Sequence, residues 1–147
     1  MMLDIFKKTQ KKNDSSDNIN LIKITALLIH AARIDHNYSD KEKLLIMNFL
    51  KNIDPKIDFK KIIKNAEEEE ENSNQILNYT QEIKKNTTEF KKEIIKTLWK
   101  IILSDNNSDI YENTLMRRIA GLLYVPDRLV GETKQEVLNK KNYDILR

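Results

Sequence analysis

From residue 19 to residue 34 the chain is apolar almost all the way round a helix: Ile19, Leu21, Ile22, Ile24, Leu27, Leu28, Ile29, Ala31, Ala32 and Ile34. A surface helix keeps a polar side, so this pattern predicts a central, buried one. A second such segment carries Phe90, Ile94, Ile95, Leu98, Trp99, Ile101, Ile102 and Leu103. Asn86-Thr87-Thr88-Glu89 stands before it with the spacing of a capping box. Shorter amphipathic segments fill the rest. After a break at Asp35 to Tyr38, Ser39 is placed as an N-cap with Glu42 at N3, and a helix to about Asn52 uses Leu44, Leu45, Met47, Phe49 and Leu50. Asp54-Pro55 is a turn. Asp58 then caps a helix bearing Phe59, Ile62, Ile63 and Ala66, which ends in the run Glu67 to Glu71. That run reads as a solvated face, its carboxylates poorly placed near the negative end of a helix dipole. A short helix over 75–85 rests on Ile76, Leu77, Tyr79 and Ile83. A helix from about Asp109 carries Leu115, Met116, Ile119, Leu122 and Leu123 and stops at Pro126-Asp127. The last helix uses Leu129, Val130, Val137 and Leu138 and frays from about Asn139.

The fold class predicted is all-α: a single bundle of about seven helices over residues 19–140. Residues 1–18 are expected to be a flexible N-terminal segment and 141–147 a frayed tail. The apolar head Met2-Leu3-Asp4-Ile5-Phe6 is able to form one amphipathic turn against a membrane or a partner; a disordered end is the plainer reading.

The two central segments belong to a repeat. Asp35 through Glu42 and Asp105 through Glu112 are acidic loops at identical spacing, seventy residues apart. At the same offset Ile24 matches Ile94, Leu28 matches Leu98, Ala31 matches Ile101 and Ala32 matches Ile102. Beyond the loops, Leu45 matches Leu115, Ile46 matches Met116 and Phe49 matches Ile119. One helix–acidic loop–helix unit is used twice, with internal pseudo-two-fold symmetry expected of the bundle.

Composition narrows the function. The 147 residues are enough for one domain with a real core. A third of them are charged, yet the signs nearly cancel at +3. Lys-Lys pairs interleave with Glu rather than forming a stripe, so no nucleic-acid partner is expected. Without cysteine there is no disulfide, thiolate metal site or cysteine nucleophile. With two glycines and two prolines, long helices and short turns are expected, and no sheet. No apolar run spans a bilayer and no signal peptide is read, so a cytoplasmic protein is expected. No phosphate-binding glycine loop or nucleophile elbow is found.

At the paired loops the chain resembles the tellurite resistance protein B (TerB) family, in its uncharacterised bacterial branch. Ala31-Ala32-Arg33-Ile34-Asp35 through Glu42 is similar to the family's first copy of a helix, an acidic turn and a Glu on the next helix. Leu98-Trp99 through Asp105, Tyr111-Glu112 and Leu115-Met116-Arg117-Arg118-Ile119-Ala120-Gly121-Leu122-Leu123 is similar to the second. The likeness runs from about residue 20 to 140. It departs at the glycine after the acidic residue, which is His36 in one loop and Asn106 in the other, and at Ser108, where the family has an apolar residue. Of the two glycine replacements, Asn accepts a left-handed backbone more readily than His. The resemblance implies an all-α fold with internal symmetry and a cluster of acidic side chains proposed to hold a divalent metal. It also implies a link to tellurite and stress resistance, protein partners in membrane-associated complexes, a possible place at the inner membrane's periphery, and no enzymatic activity.

A hard cation such as Ca²⁺ takes six to eight oxygen ligands. If the loops meet, Asp35, Glu42, Asp105 and Glu112 supply four carboxylates, with Asp109, Asp40 and loop carbonyls in reserve. The site expected is therefore Asp35, Glu42, Asp105, Glu112 and Asp109, with calcium the first candidate. Helix capping is the competing account: Ser39 and Asp109 stand at N-caps and Glu42 and Glu112 where capping-box carboxylates stand. Capping leaves Asp35 and Asp105 unexplained. An EF-hand is excluded, because Ile110 and Met116 occupy the places of its required Gly and bidentate Glu. His30 and His36 form no zinc-binding pair, although His36 beside Asp35 is a ligand candidate as well as an exposed loop residue. Trp99 falls at a core position. Arg117 and Arg118 are either phosphate binders or, more simply, one ion-paired and one solvated residue. The reading is a non-enzymatic, metal-responsive interaction module. Its rivals are a constitutive helical scaffold or adaptor whose carboxylates are only caps, and an enzyme using paired carboxylates as acid and base.

Overall fold

A helix that is apolar all round has to be wrapped by others, and the arrangement follows from that need. The computed structural model describes residues 14–34, 38–73, 76–105 and 110–146. Among them are seven α-helices and no strand. These are α1 Asp14–Arg33, α2 Asp40–Ile53, α3 Phe59–Ser73, α4 Ile76–Ile83, α5 Thr88–Ile102, α6 Ile110–Leu122 and α7 Asp127–Leu146, with a 3-10 turn at Leu103–Asp105. The apolar head Met2 to Phe6 lies outside the described residues. α1 begins at Asp14, ahead of its apolar pattern, and α7 runs on to Leu146.

α1 packs most extensively on α3 and α4 and also meets α5, which is in turn covered by α7 and α2. Leu21, Ile24, Thr25, Ala26, Leu27, Leu28, Ile29, Ala31 and Ala32 of α1 are all buried. Fully burying one Leu or Ile side chain contributes about 1.5–3 kcal/mol, so α1 and α5, which buries Phe90, Ile94, Ile95, Leu98, Trp99, Ile101 and Ile102, are the two largest blocks of the core. The repeat is matched in burial. Ile24 and Ile94, Leu28 and Leu98, Ala31 and Ile101, Ala32 and Ile102, Ile46 and Met116, Phe49 and Ile119 are buried in both members. Leu45 and Leu115 are partly buried in both.

Local chemistry sets the boundaries, with some departures from expectation. Asp58 Oδ1 accepts from the Lys61 amide at 3.2 Å and caps α3 as expected. The cap of α5 is Thr87, whose Oγ1 accepts from Phe90 N at 3.2 Å, so Glu89 falls at N2 and completes no capping box. Asn86 is used elsewhere: its Nδ2 donates to the carbonyls of Ile83 and Glu82 and closes the end of α4. The core stripe of α2 is Ile46, Phe49, Leu50 and Ile53, at helical spacing. Leu44 falls off that stripe and is 53 % exposed; Leu77 falls off the Ile76–Tyr79–Thr80–Ile83 stripe of α4 and is 48 % exposed. α6 ends in a Schellman motif, with Val125 N donating to Ala120 O at 2.9 Å and Tyr124 N to Gly121 O at 3.2 Å. Tyr124 takes the left-handed position, φ 60°, where glycine is usual.

Thr25 is fully buried in α1, and its hydroxyl has no hydrogen-bond partner among the described residues. An unsatisfied buried hydroxyl costs about 1–3 kcal/mol. Thr25→Val is therefore expected to raise the stability measured by urea denaturation by about 1 kcal/mol. A loss of stability would show that the hydroxyl is satisfied in solution.

Candidate functional site

The first acidic loop leaves the end of α1 and enters α2. Glu42, one helical turn in, is only 2 % exposed. Its Oε1 accepts from Ser39 N at 2.8 Å and from Ser39 Oγ at 3.3 Å, while Glu42 N donates back to Ser39 Oγ at 3.3 Å. The capping box expected from Ser39 and Glu42 is thus complete. Asp40 starts α2 and is exposed.

The second loop begins in the 3-10 turn. Ser104 Oγ donates to the Ile101 carbonyl at 2.7 Å, which folds the chain back on the end of α5. Lys41, in the first turn of α2, donates through Nζ to the Ser104 carbonyl at 3.0 Å. One side chain therefore joins the root of the first loop to the start of the second.

Asp35, His36 and Asp109 lie outside the described residues. The backbone places Asp105 at the end of the 3-10 turn and Glu112 in the first turn of α6. Their side chains, too, fall outside the described part of the molecule. Among the described residues no group of three or more His, Asp or Glu side chains is placed to hold a metal ion.

The acidic run of α3 is not a uniformly solvated face. Ile62, Ala66 and Glu70 form one buried row at four-residue spacing, and Glu70 is only 5 % exposed. It meets α1. Arg33 Nη1 donates to Glu70 Oε1, and His30 Nδ1 lies 3.1 Å from Oε2. Lys23 pairs with Glu69 at 3.1 Å, and Arg33 reaches Glu71 at 3.6 Å. These cations offset the unfavourable dipole at the end of α3, the one objection to carboxylates there. Phe59, Ile63 and Glu67 form a second, partly buried row. Glu67 Oε2 accepts from the Tyr38 hydroxyl at 3.0 Å. Arg33 and Lys43 both stand over the Tyr38 ring, 5.2 Å and 5.0 Å from its centre. Burial, then the charge and hydrogen bond of Glu67, hold the Tyr38 phenol well above its ordinary pKa; Arg33 acts weakly the other way.

The remaining candidates are structural. Trp99 is buried, donates through Nε1 to the Val130 carbonyl at 3.0 Å, and carries Lys134 over its ring at 4.9 Å. Arg117 and Arg118 are both exposed, and neither pairs with a carboxylate among the described residues. No described helix is long and apolar enough to cross a membrane.

A family model described as "Tellurite resistance protein TerB" matches residues 21–135. No curated protein and no solved structure matches the chain.

If Glu70 locks α3 onto α1, Glu70→Ala should cost about 2–3 kcal/mol, because it removes the buried partner of Arg33 and His30 and leaves Arg33 only the exposed Glu71. Glu68→Ala, on the exposed side of the same run, should stay within about 0.5 kcal/mol of wild type in the same denaturant titration. Equal effects would restore the solvated-face account.

Tyr38 adds a pH dependence. Its folded pKa is raised above the unfolded value of about 10, so its contribution to stability is intact below pH 10. That contribution is lost as the pH rises from there through the folded pKa. Tyr38→Phe should be less stable than wild type at neutral pH, and the gap should narrow above about pH 10. A gap independent of pH would refute the assignment.

Proposed function

The chain belongs to the TerB family, and from that premise we propose that it is a non-enzymatic interaction module whose paired acidic loops take up a divalent cation, calcium first. The carboxylates act as ligands rather than as an acid and base pair. Asp35 and Asp105 are its central ligands, since helix capping accounts for neither. Glu42, Glu112 and Asp109 complete the set. A hard cation accepts such a mixture of carboxylates and loop carbonyls, and it would relieve the mutual repulsion of the acids. The ion sets the angle between the two helix–loop–helix units and with it a surface for a protein partner. A part in tellurite and stress resistance, through complexes at a membrane, is the physiological side of this reading.

One observation carries the proposal. The Lys41–Ser104 hydrogen bond holds the root of one acidic loop against the start of the other. The described edges of the two loops, Lys41 and Ser104, are thereby brought together, which supports a shared ion. A constitutive scaffold is the competing reading, and the complete Ser39–Glu42 capping box favours it, because Glu42 there already has a structural role.

Calcium titrated calorimetrically into chelator-treated protein separates the two, with magnesium as control. Saturable binding is expected, and calcium at a hundred times its Kd should add about 2.7 kcal/mol of stability. Asp35→Ala with Asp105→Ala should abolish both effects while leaving the helical circular dichroism unchanged. No heat and an unmoved Tm would reduce the loops to helix caps.

A further inference from the structure

A groove of about 600 Å³ opens between α2, α5 and the 3-10 turn, and α7. That is within the usual range for a small-molecule site. Its apolar floor is Leu45, Leu103 and Val137. Among the described residues, Lys41, Lys96, Lys100 and Lys140 line it with a single carboxylate, Glu136. That carboxylate is already shared, 3.8 Å from both Lys92 Nζ and Lys96 Nζ. Neither Lys100 nor Lys140 pairs with a carboxylate among the described residues, and Lys41 holds only the neutral Ser104 carbonyl.

Lys41, Lys100 and Lys140 thus border one apolar floor with no ion-pairing carboxylate among the described residues. Burial first, then repulsion from Lys140 and Lys96, hold the Lys100 pKa below its ordinary value, with Glu93 a smaller opposing influence. An anion in the groove would remove that repulsion. A single carboxylate would balance only one of the three cations. A phosphate monoester brings nearly two negative charges and three acceptor oxygens, which suit several point-charge donors at once.

We propose that this groove binds a phosphate monoester, its charged end among Lys41, Lys100 and Lys140 and its organic group on Leu45, Leu103 and Val137. The inference rests on different side chains from the cation proposed at the acidic loops, although Lys41 lies next to both.

The test uses the full chain at low ionic strength with EDTA present. It is titrated calorimetrically with octyl phosphate below its micelle concentration, and in parallel with inorganic phosphate and octanoate. Saturable binding of octyl phosphate is expected, at least tenfold tighter than either comparison ligand. Lys100→Gln with Lys140→Gln should weaken it tenfold or more at unchanged Tm. Arg117→Ala with Arg118→Ala removes two exposed cations outside the groove and should leave it unaltered. Equal affinity for inorganic phosphate would assign the cations to the free ion and overturn the ester. Equal affinity for octanoate, equal losses in the two double variants, or no saturable binding would also overturn the proposal.

Discussion

The burial of α1 is the constraint on which the rest depends. With Leu21, Ile24, Leu27, Leu28 and Ile29 covering most of its circumference, it is stable only inside a shell of other helices. Apolar packing alone leaves the sliding and rotation of neighbours weakly specified, because many hydrophobic arrangements bury similar areas. Glu70 adds direction. It is buried on α3 and reaches Arg33 and His30 of α1, so one register of α3 satisfies it and displaced registers strand a charge. The neighbouring Lys23–Glu69 and Tyr38–Glu67 contacts extend the same seam.

The repeat divides the molecule into two units with the same interior and different exteriors. Paired positions are buried alike in both, yet α1 is covered by α3 and α4, whereas α5 is covered by α7 and α2. The described ends of the two central helices are therefore matched in the repeat and unequal in surroundings. The end of α1 meets the carboxylates of α3, which occupy its cationic side chains. The end of α5 opens on a groove rich in lysine. Duplication accounts for the helical frame, and divergence of the covering helices accounts for the different electrostatics at its two ends.

How much of this could be read in the sequence depended on range. The two central helices were legible because residues apolar at every helical angle have one stable location. The Ser39–Glu42 box was legible because its partners stand three residues apart. The α5 cap was displaced by one residue because Asn86 and Thr87 are both good caps, and the choice fell to Asn86's bonds with the end of α4. Glu70 was hidden among five consecutive glutamates, although its signal was present. It continues the Ile62–Ala66 row at i+4, as Glu67 continues Phe59–Ile63. A row count along the run, rather than its mean polarity, would have found it. The lysine groove had no comparable local signal, because Lys41, Lys100 and Lys140 come from three helices far apart in sequence.

Lys41 of the first unit and Ser104 of the second give the tie and the groove a common part. They form the tie between the acidic loops, and they also line the groove. Lys41 is also a cation beside acidic loops, so a metal ion and this ammonium would compete for the same negative field. An anion drawing Lys41 into the groove would lessen that competition but also take Lys41 from the Ser104 carbonyl, so the sign of the coupling tells which effect is larger. The two proposed sites are thus joined through one flexible side chain, and their coupling can be measured from either side.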